Sequence, residues 1–405
     1  MTKHTKPSLT PKLRFPEFRN AFGWQEKSLD VCLDYEQPTP YLVSDTGYNP
    51  SFKTPVLTAG MTFILGYTNE DSGIFSEGLP VIIFDDFTTA TQFVDFPFKV
   101  KSSAIKILRS KGGANIKFMY ERLQTIAYEV GVHERHWISK FAPMLVSVPE
   151  LAEQQKIAEC LSTLDELMAA ESQKLDALKA HKKGLMQQLF PREGETLPRL
   201  RFPEFQDAPE WKSDSLGNIF DTASGGTPSR SEKAYWGGNI PWVTTSLVDF
   251  RVVTGAEEFI TAEGLENSSA KLFPKGTVLM AMYGQGKTRG QVALLGLQAA
   301  TNQACAAILP REDVDPYFVF LNLAGRYEEI REMSNSGGQE NLSQELVRKI
   351  PFSFPTDEAE QRKVTSCLSS LDDLIAAQSD QLEALKTHKK GLMQQLFPSP
   401  VEAEG

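Results

Sequence analysis

Gly286-Lys287-Thr288 is the tripeptide that closes a phosphate-binding loop, in which backbone N–H groups cradle phosphates and the lysine reaches the outermost ones. Such a loop also needs a glycine five residues before Gly286, and that position is Ala281, so the nucleotide reading fails on spacing. His133-Glu134-Arg135-His136 sets two imidazoles at i and i+3 instead of the i, i+4 spacing of a zinc-binding helix, which points to a surface or capping role. A metal-dependent nuclease centre wants a carboxylate two residues before a lysine, to hold metal and activate water. Only Glu210-Trp211-Lys212 offers it, inside a repeated segment whose other copy has Gly23 and Gln25 there. The Asn-Pro-Pro-aromatic motif that positions a target amino group for methylation is absent. Cys32, Cys160, Cys305 and Cys367 lie far apart with no C-x-x-C pair, which fits buried thiols in a reducing compartment better than disulfides or zinc. These residues predict a chain that performs no catalysis itself.

Charge is more telling than chemistry. The 405 residues carry 42 Lys plus Arg against 52 Asp plus Glu, a formal net charge of −10, which at face value disfavours a nucleic-acid partner. Divided along the chain, residues 149–198 carry −3 and residues 355–405 carry −4, so two segments hold seven of the ten negative charges. Two windows hold no acid at all. Phe96 to Tyr120 contains Lys99, Lys101, Lys106, Arg109, Lys111 and Lys117, and Asn267 to Arg311 contains Lys271, Lys275, Lys287, Arg289 and Arg311. Cations interspersed with hydroxyls and amides, with carboxylates excluded, are what a DNA-facing surface requires. Charge and loop chemistry nominate Lys53, Thr58, Lys99, Lys101, Lys106, Arg109 and Lys111 in the first half. In the second half they nominate Thr227, Ser229, Arg230, Tyr283, Lys287, Thr288, Arg289, Asn302 and Gln303.

These residues must be held by elements that the chain spells out twice. The run Glu153 to Pro191 returns as Glu360 to Pro398 with 27 of 39 positions identical, and LRFPEF occurs at Leu13 to Phe18 and again at Leu200 to Phe205. Each half is a constant lead-in, a variable body and a constant exit. The exits read as long helices with a 4-3 apolar ladder: Leu161, Leu164, Met168, Leu175 and Leu178 in one, Leu368, Leu371, Ile375, Leu382 and Leu385 in the other. Both ladders break at the same places, Glu171/Gln378 and Lys182/Lys389, so the two helices are expected to pair as a coiled coil and to present a partner-docking surface. The bodies read as mixed α/β, with strand-like runs at Pro80 to Phe84 and Thr277 to Met280 and helices around Phe118 to Tyr128 and Pro316 to Met333. By eye the two bodies share little sequence.

The alternation of variable body and long helix resembles the DNA specificity subunit of type I restriction-modification enzymes over about residues 12–398. Its local marks are Ser224 to Ser229 (SGGTPS), Tyr235 to Val243 (YWGGNIPWV), Asn341 to Ser343, and Pro355 to Gln361. The first body departs from that lead-in, with Tyr35 to Val43 and Thr54 to Gly60 in its place, while His136 to Phe141 resembles the matching exit. The resemblance implies an α+β (mixed α/β) protein with a pseudo-twofold internal repeat and antiparallel spacer helices. Its segments would be a tail (1–11), a first target recognition domain (12–150), a central helix (151–191), a linker (192–198), a second recognition domain (199–357), a C-terminal helix (358–398) and a tail (399–405). It further implies that each domain reads half of a bipartite, asymmetric site in double-stranded DNA. Two methylation subunits would dock on the helices and restriction subunits would join them, with S-adenosylmethionine, ATP and Mg on those partners and no cofactor here. With no signal peptide or membrane span in view, a cytoplasmic location is expected. A coiled-coil scaffold with two protein- or RNA-binding heads is the alternative.

Overall fold

The computed structural model describes residues 10–58, 62–129, 135–192, 194–284, 287–335 and 341–398. The chain divides into two compact units, Met1–Ser172 with Asp380–Gly405, and Gln173–Ser379. The first unit runs β1 (Gln25–Ser28), α1 (Leu29–Cys32), β2 (Leu33–Glu36), β3 (Thr54–Leu57), β4 (Ile64–Thr68), β5 (Val81–Asp85), β6 (Thr91–Val94), β7 (Lys99–Val100), β8 (Ile105–Ser110), α2 (Ile116–Gln124) and β9 (Leu145–Val148), and leads into α3 (Leu151–Leu189). Its strands form a sheet β2-β8-β5-β6, a sheet β4-β3-β7 and a ribbon β1-β9.

In β5, Ile82 and Phe84 pack with the helices while Val81 and Ile83 pack under the second sheet. That is why Pro80 to Phe84 is apolar at every position: side chains alternate across a strand and here both faces are covered. The expected helix around Phe118 to Tyr128 is α2, started by Asn115, whose side chain accepts from Phe118 N–H.

The second unit runs β10 (Lys212–Ser215), α4 (Leu216–Ile219), β11 (Thr222–Ser224), β12 (Trp236–Val243), β13 (Val252–Val253), β14 (Glu258–Ile260), α5 (Ala262–Glu266), β15 (Leu272–Phe273), β16 (Val278–Ala281), β17 (Val292–Leu295), β18 (Ala299–Thr301), β19 (Cys305–Ile308), α6 (Pro316–Gly325), α7 (Tyr327–Asn335), α8 (Gln344–Lys349) and β20 (Pro351–Phe354), and leads into α9 (Glu358–Leu396). Its sheets are β11-β19-β16-β17-β13 and β14-β12-β18-β15, with a ribbon β10-β20. The helix expected over Pro316 to Met333 is two helices, because the chain leaves helical geometry at Arg326.

The two bodies therefore share a topology that their sequences hide. A four-strand core, a second sheet around a parallel pair (β3-β7 or β12-β18) and a ribbon joining the body's two ends recur in the same order.

The repeated segments serve this plan. Arg14 of the first LRFPEF is buried and forks onto Glu153 at 2.7 and 2.6 Å, and Arg201 of the second forks onto Glu360 at 2.8 and 2.7 Å. The neighbouring glutamines tie each helix to its body. Gln154 accepts from Asn115 N–H at 2.9 Å and Gln361 from Asp315 N–H at 2.8 Å, at the starts of α2 and α6.

Helices α3 and α9 pack together and run antiparallel. In the first unit Asp165 meets Lys389 at 2.7 Å and Glu171 meets Gln381 at 3.1 Å; in the second, Lys182 meets Asp372 at 2.5 Å. The polar breaks at Lys182 and Lys389 are thus two reciprocal ion pairs between the helices. Leu161, Leu175, Leu368 and Leu382 are buried, and Leu164, Met168, Leu178, Leu371, Ile375 and Leu385 are half-buried along the seam. Leu161 and Leu368 also belong to the body cores. Among the described residues no helix is long and apolar enough to cross a membrane.

Candidate nucleic-acid interface

In the second unit the candidate residues gather at one end of the sheets because two glycines allow a close approach. Gly226 N–H donates to Thr301 carbonyl at 2.8 Å. A Cβ on Gly225 would lie 2.1 Å from that same carbonyl oxygen, and one on Gly226 2.3 Å from the Ser269 backbone, so only glycine fits. The approach sets Thr227 against Gln303, whose side chain accepts from the Thr227 hydroxyl, with Asn302 adjacent. Trp242 Nε1–H reaches over to Gly226 carbonyl at 3.0 Å. Met282 N–H donates to Ala304 carbonyl at 2.8 Å, which brings the start of the Tyr283 loop alongside. Tyr283 and Lys287 are exposed on that loop, and Thr288 and Arg289 are half-buried. Tyr327 of α7 anchors the loop by donating to Lys287 carbonyl and packs edge-on against Phe250, ring centroids 5.2 Å apart. Gly286 lies outside the described residues.

Arg230 is exposed but committed. Its guanidinium stacks 3.8 Å over Trp236 and forks onto Glu258. Sequence reading missed Glu258 and the stacking role of Trp236. The Trp236 indole donates to Ser229 carbonyl at 3.0 Å and meets Trp242 edge-on, so the YWGGNIPWV segment acts as the shelf on which Arg230 lies.

In the first unit the acid-free window of sequence is not acid-free in space. Lys99 is 3% exposed and pairs with Glu70 at 2.7 Å; Lys106 is 1% exposed, 3.3 Å from Asp86 and bonded to Gln37. A buried ammonium needs a counter-charge, and the fold supplies one from outside the window, so both lysines leave the DNA-facing set. Arg109 is half-buried, paired with Glu36 at 2.6 Å and 4.8 Å over the Phe75 ring. The Lys99 ammonium, with backbone N–H groups of Asp45 and Ser44, holds the Glu70 carboxyl down at about 2.

Lys101 and Thr58 come together at one end of the β3-β7 pair, where Lys101 N–H donates to Leu57 carbonyl at 3.0 Å. Lys53 is exposed at the other end of β3, and Lys111, also exposed, is held beside Cys32. Gly60, His133 and Glu134 lie outside the described residues. Cys32 and Cys305 are buried thiols, Cys160 and Cys367 half-buried, and burial pushes Cys305 up to about 12.

Each unit also carries a groove at the end of a long helix. The first, 670 Å³, is floored by Met393, Gln394 and Phe397 and edged by Lys386, Lys389 and Lys390; the second, 490 Å³, has Met186, Gln187, Phe190 and Lys183 at the repeat-equivalent places. Among the described residues no group of three or more His, Cys, Asp or Glu could hold a metal ion.

The family model for a type I restriction modification DNA specificity domain matches residues 209–387. The chain is 34% identical over 364 residues to the EcoR124I/EcoR124II type I restriction enzyme specificity subunit of Escherichia coli, covering 85% of this chain and 86% of that protein. It is 30% identical over 182 residues to the MjaIX specificity subunit of Methanocaldococcus jannaschii, covering 44% of this chain and 41% of that protein. Among solved structures, the S subunit of a type I restriction-modification system from M. genitalium has a similar fold, with a TM-score of 0.60 at 17% identity, covering 97% of this chain and 100% of that one.

Proposed function

This chain belongs to the DNA specificity subunits of type I restriction-modification enzymes and recognises DNA sequence, and on that premise we propose that each of its units reads one half of a bipartite, asymmetric target. The observation that carries the half-site reading is one topology built twice with different surface chemistry. Thr227, Ser229, Tyr283, Lys287, Asn302 and Gln303 are offered by the second unit, Thr58, Lys101 and Lys53 by the first. A shared scaffold with divergent exposed polar groups fits two readers of two different half-sites. The antiparallel helices then set the unread spacer between halves.

The subunit works with partner subunits on DNA. Two identical methylation subunits fit the duplicated features: the equivalent grooves floored by Met186/Met393 and Phe190/Phe397, and the exposed Leu167 and Leu374, at the same repeat position. Restriction subunits would join through them. Catalysis, S-adenosylmethionine, ATP and Mg belong in this reading to those partners, and the assembly works in the cytoplasm.

Mobility shift of the chain with its methylation subunit on random duplex, followed by mapping of methylated adenines, tests the reading. Methylation at one bipartite sequence is expected. Absence of any bipartite site would sink the half-site reading.

A further inference from the structure

The two units differ in sequence but share a register, and the register singles out one position. In the parallel pairs, Leu57 stands opposite Val100 and Val243 opposite Thr301. The residue that follows each pair turns its N–H back in the same way, Lys101 to Leu57 carbonyl at 3.0 Å and Asn302 to Val243 carbonyl at 3.2 Å. Lys101 and Asn302 therefore occupy one backbone place in two copies of the fold, and Thr58 and Thr244 flank it at equivalent places on the partner strand.

Other matched positions carry less. Lys106 faces Phe84 in β5 as Ala306 faces Met280 in β16, and both are buried. Away from matched positions, Arg311 in the turn before α6 is taken up by Asp313 and Arg109 in β8 by Glu36. Lys101, by contrast, is exposed and has no ion pair among the described residues. Asn302 is half-exposed; its Oδ1 accepts from Ala304 N–H at 3.1 Å, which fixes the amide and leaves its NH₂ group unbonded among the described residues.

We propose that this position reads one base in each half-site and makes the two half-sites different there. A lysine donates to the O6 and N7 acceptors of guanine; a fixed asparagine donates to N7 of adenine and accepts from its N6 amino group with the remaining Oδ1 lone pair. The inference rests on the half-site reading above and assigns its bases: guanine to Lys101, adenine to Asn302.

The test selects methylated or bound sequences from a randomised duplex library with the complete subunit and its methylation partner, using wild type, Lys101→Asn, Lys101→Ala and Asn302→Asp. Asn302→Asp keeps the acceptor for Ala304 N–H and so leaves the turn intact. Each variant should lose about 5- to 100-fold preference at a single base pair of its own half-site, with the other half-site and the spacer unchanged. Lys101→Asn should shift that base pair toward adenine, and Asn302→Asp should shift its own toward cytosine. Selection of the wild-type sequence by every variant, or a uniform loss over all bases at that position, would overturn the assignment while wild-type enrichment of a bipartite site keeps the half-site reading. If wild type enriches no bipartite site, both fall.

Discussion

Arg14 and Arg201 look like ordinary surface cations in LRFPEF, yet each is a buried fork onto a glutamate about 140 or 160 residues away. The signal was present: Arg and Glu are both among the identical positions of the repeats, and identity in a polar residue at two distant places invites pairing them. Breaking such a pair leaves a charge buried alone. Glu153→Gln should destabilise the first unit by about 3–5 kcal/mol, read as a lowered urea midpoint, and Arg14→Met combined with Glu153→Met should recover part of the loss. If Glu153→Gln unfolds at the wild-type urea midpoint, the clamp is not a structural tie. Glu70 gives the pH dependence. Its folded pKa of about 2 lies below the ordinary 4.5, so the Lys99 pair stabilises fully above pH 4.5 and fades as pH falls from 4.5 toward 2. Glu70→Gln should lower stability at pH 7 and flatten the acid limb of a circular-dichroism titration between those values; an unchanged acid limb contradicts the pairing.

At the scale of elements, the helix pairing shows why a broken ladder can still specify a seam. Burial pushes Asp165 up, but hydrogen bonds from Lys117 and Lys389 outweigh it and hold the carboxyl below its ordinary value. The repeat-equivalent pair Lys182 with Asp372 gains Tyr317 in place of Lys117, whose hydroxyl donates to Asp372 at 3.2 Å. Lys182→Glu should set like charges against Asp372 and destabilise by roughly 1 kcal/mol, and adding Asp372→Lys should restore the thermal midpoint. If the double variant is no more stable than Lys182→Glu alone, the pair does not fix register. The strands teach a complementary lesson: β5 and β16 were legible as buried strands from their apolar runs, but their neighbours were not, because pairing depends on residues tens of positions away.

For the whole molecule, the two helices and the two recognition bodies make separable predictions. Four residues inserted after Ser172 in α3 and four after Ser379 in α9 lengthen both helices by about 6 Å. Both reciprocal ion pairs survive a matched insertion, whereas an insertion in one helix alone leaves them without a common register. The mapped methylation site should then gain spacer and keep both half-sites; an altered half-site sequence would contradict the spacer role. What the sequence determined by itself was the architecture: repeats are local strings, a 3.5-residue ladder is a local period, and both survive without knowledge of contacts. Charge was only half legible. The net −10 concealed two windows without acids, and of these the second kept exposed cations at Lys271, Lys275 and Lys287 that have no ion pair among the described residues. The first lost Lys99 and Lys106 to Glu70 and Asp86, because a lysine's environment is set by whatever the fold packs against it. Only the tertiary structure could show that two bodies without evident sequence likeness repeat one topology. Backbone register is fixed by hydrogen bonds and by which face is buried, constraints that many different side chains satisfy equally well, so the sequences diverged while Lys101 and Asn302 kept the same place.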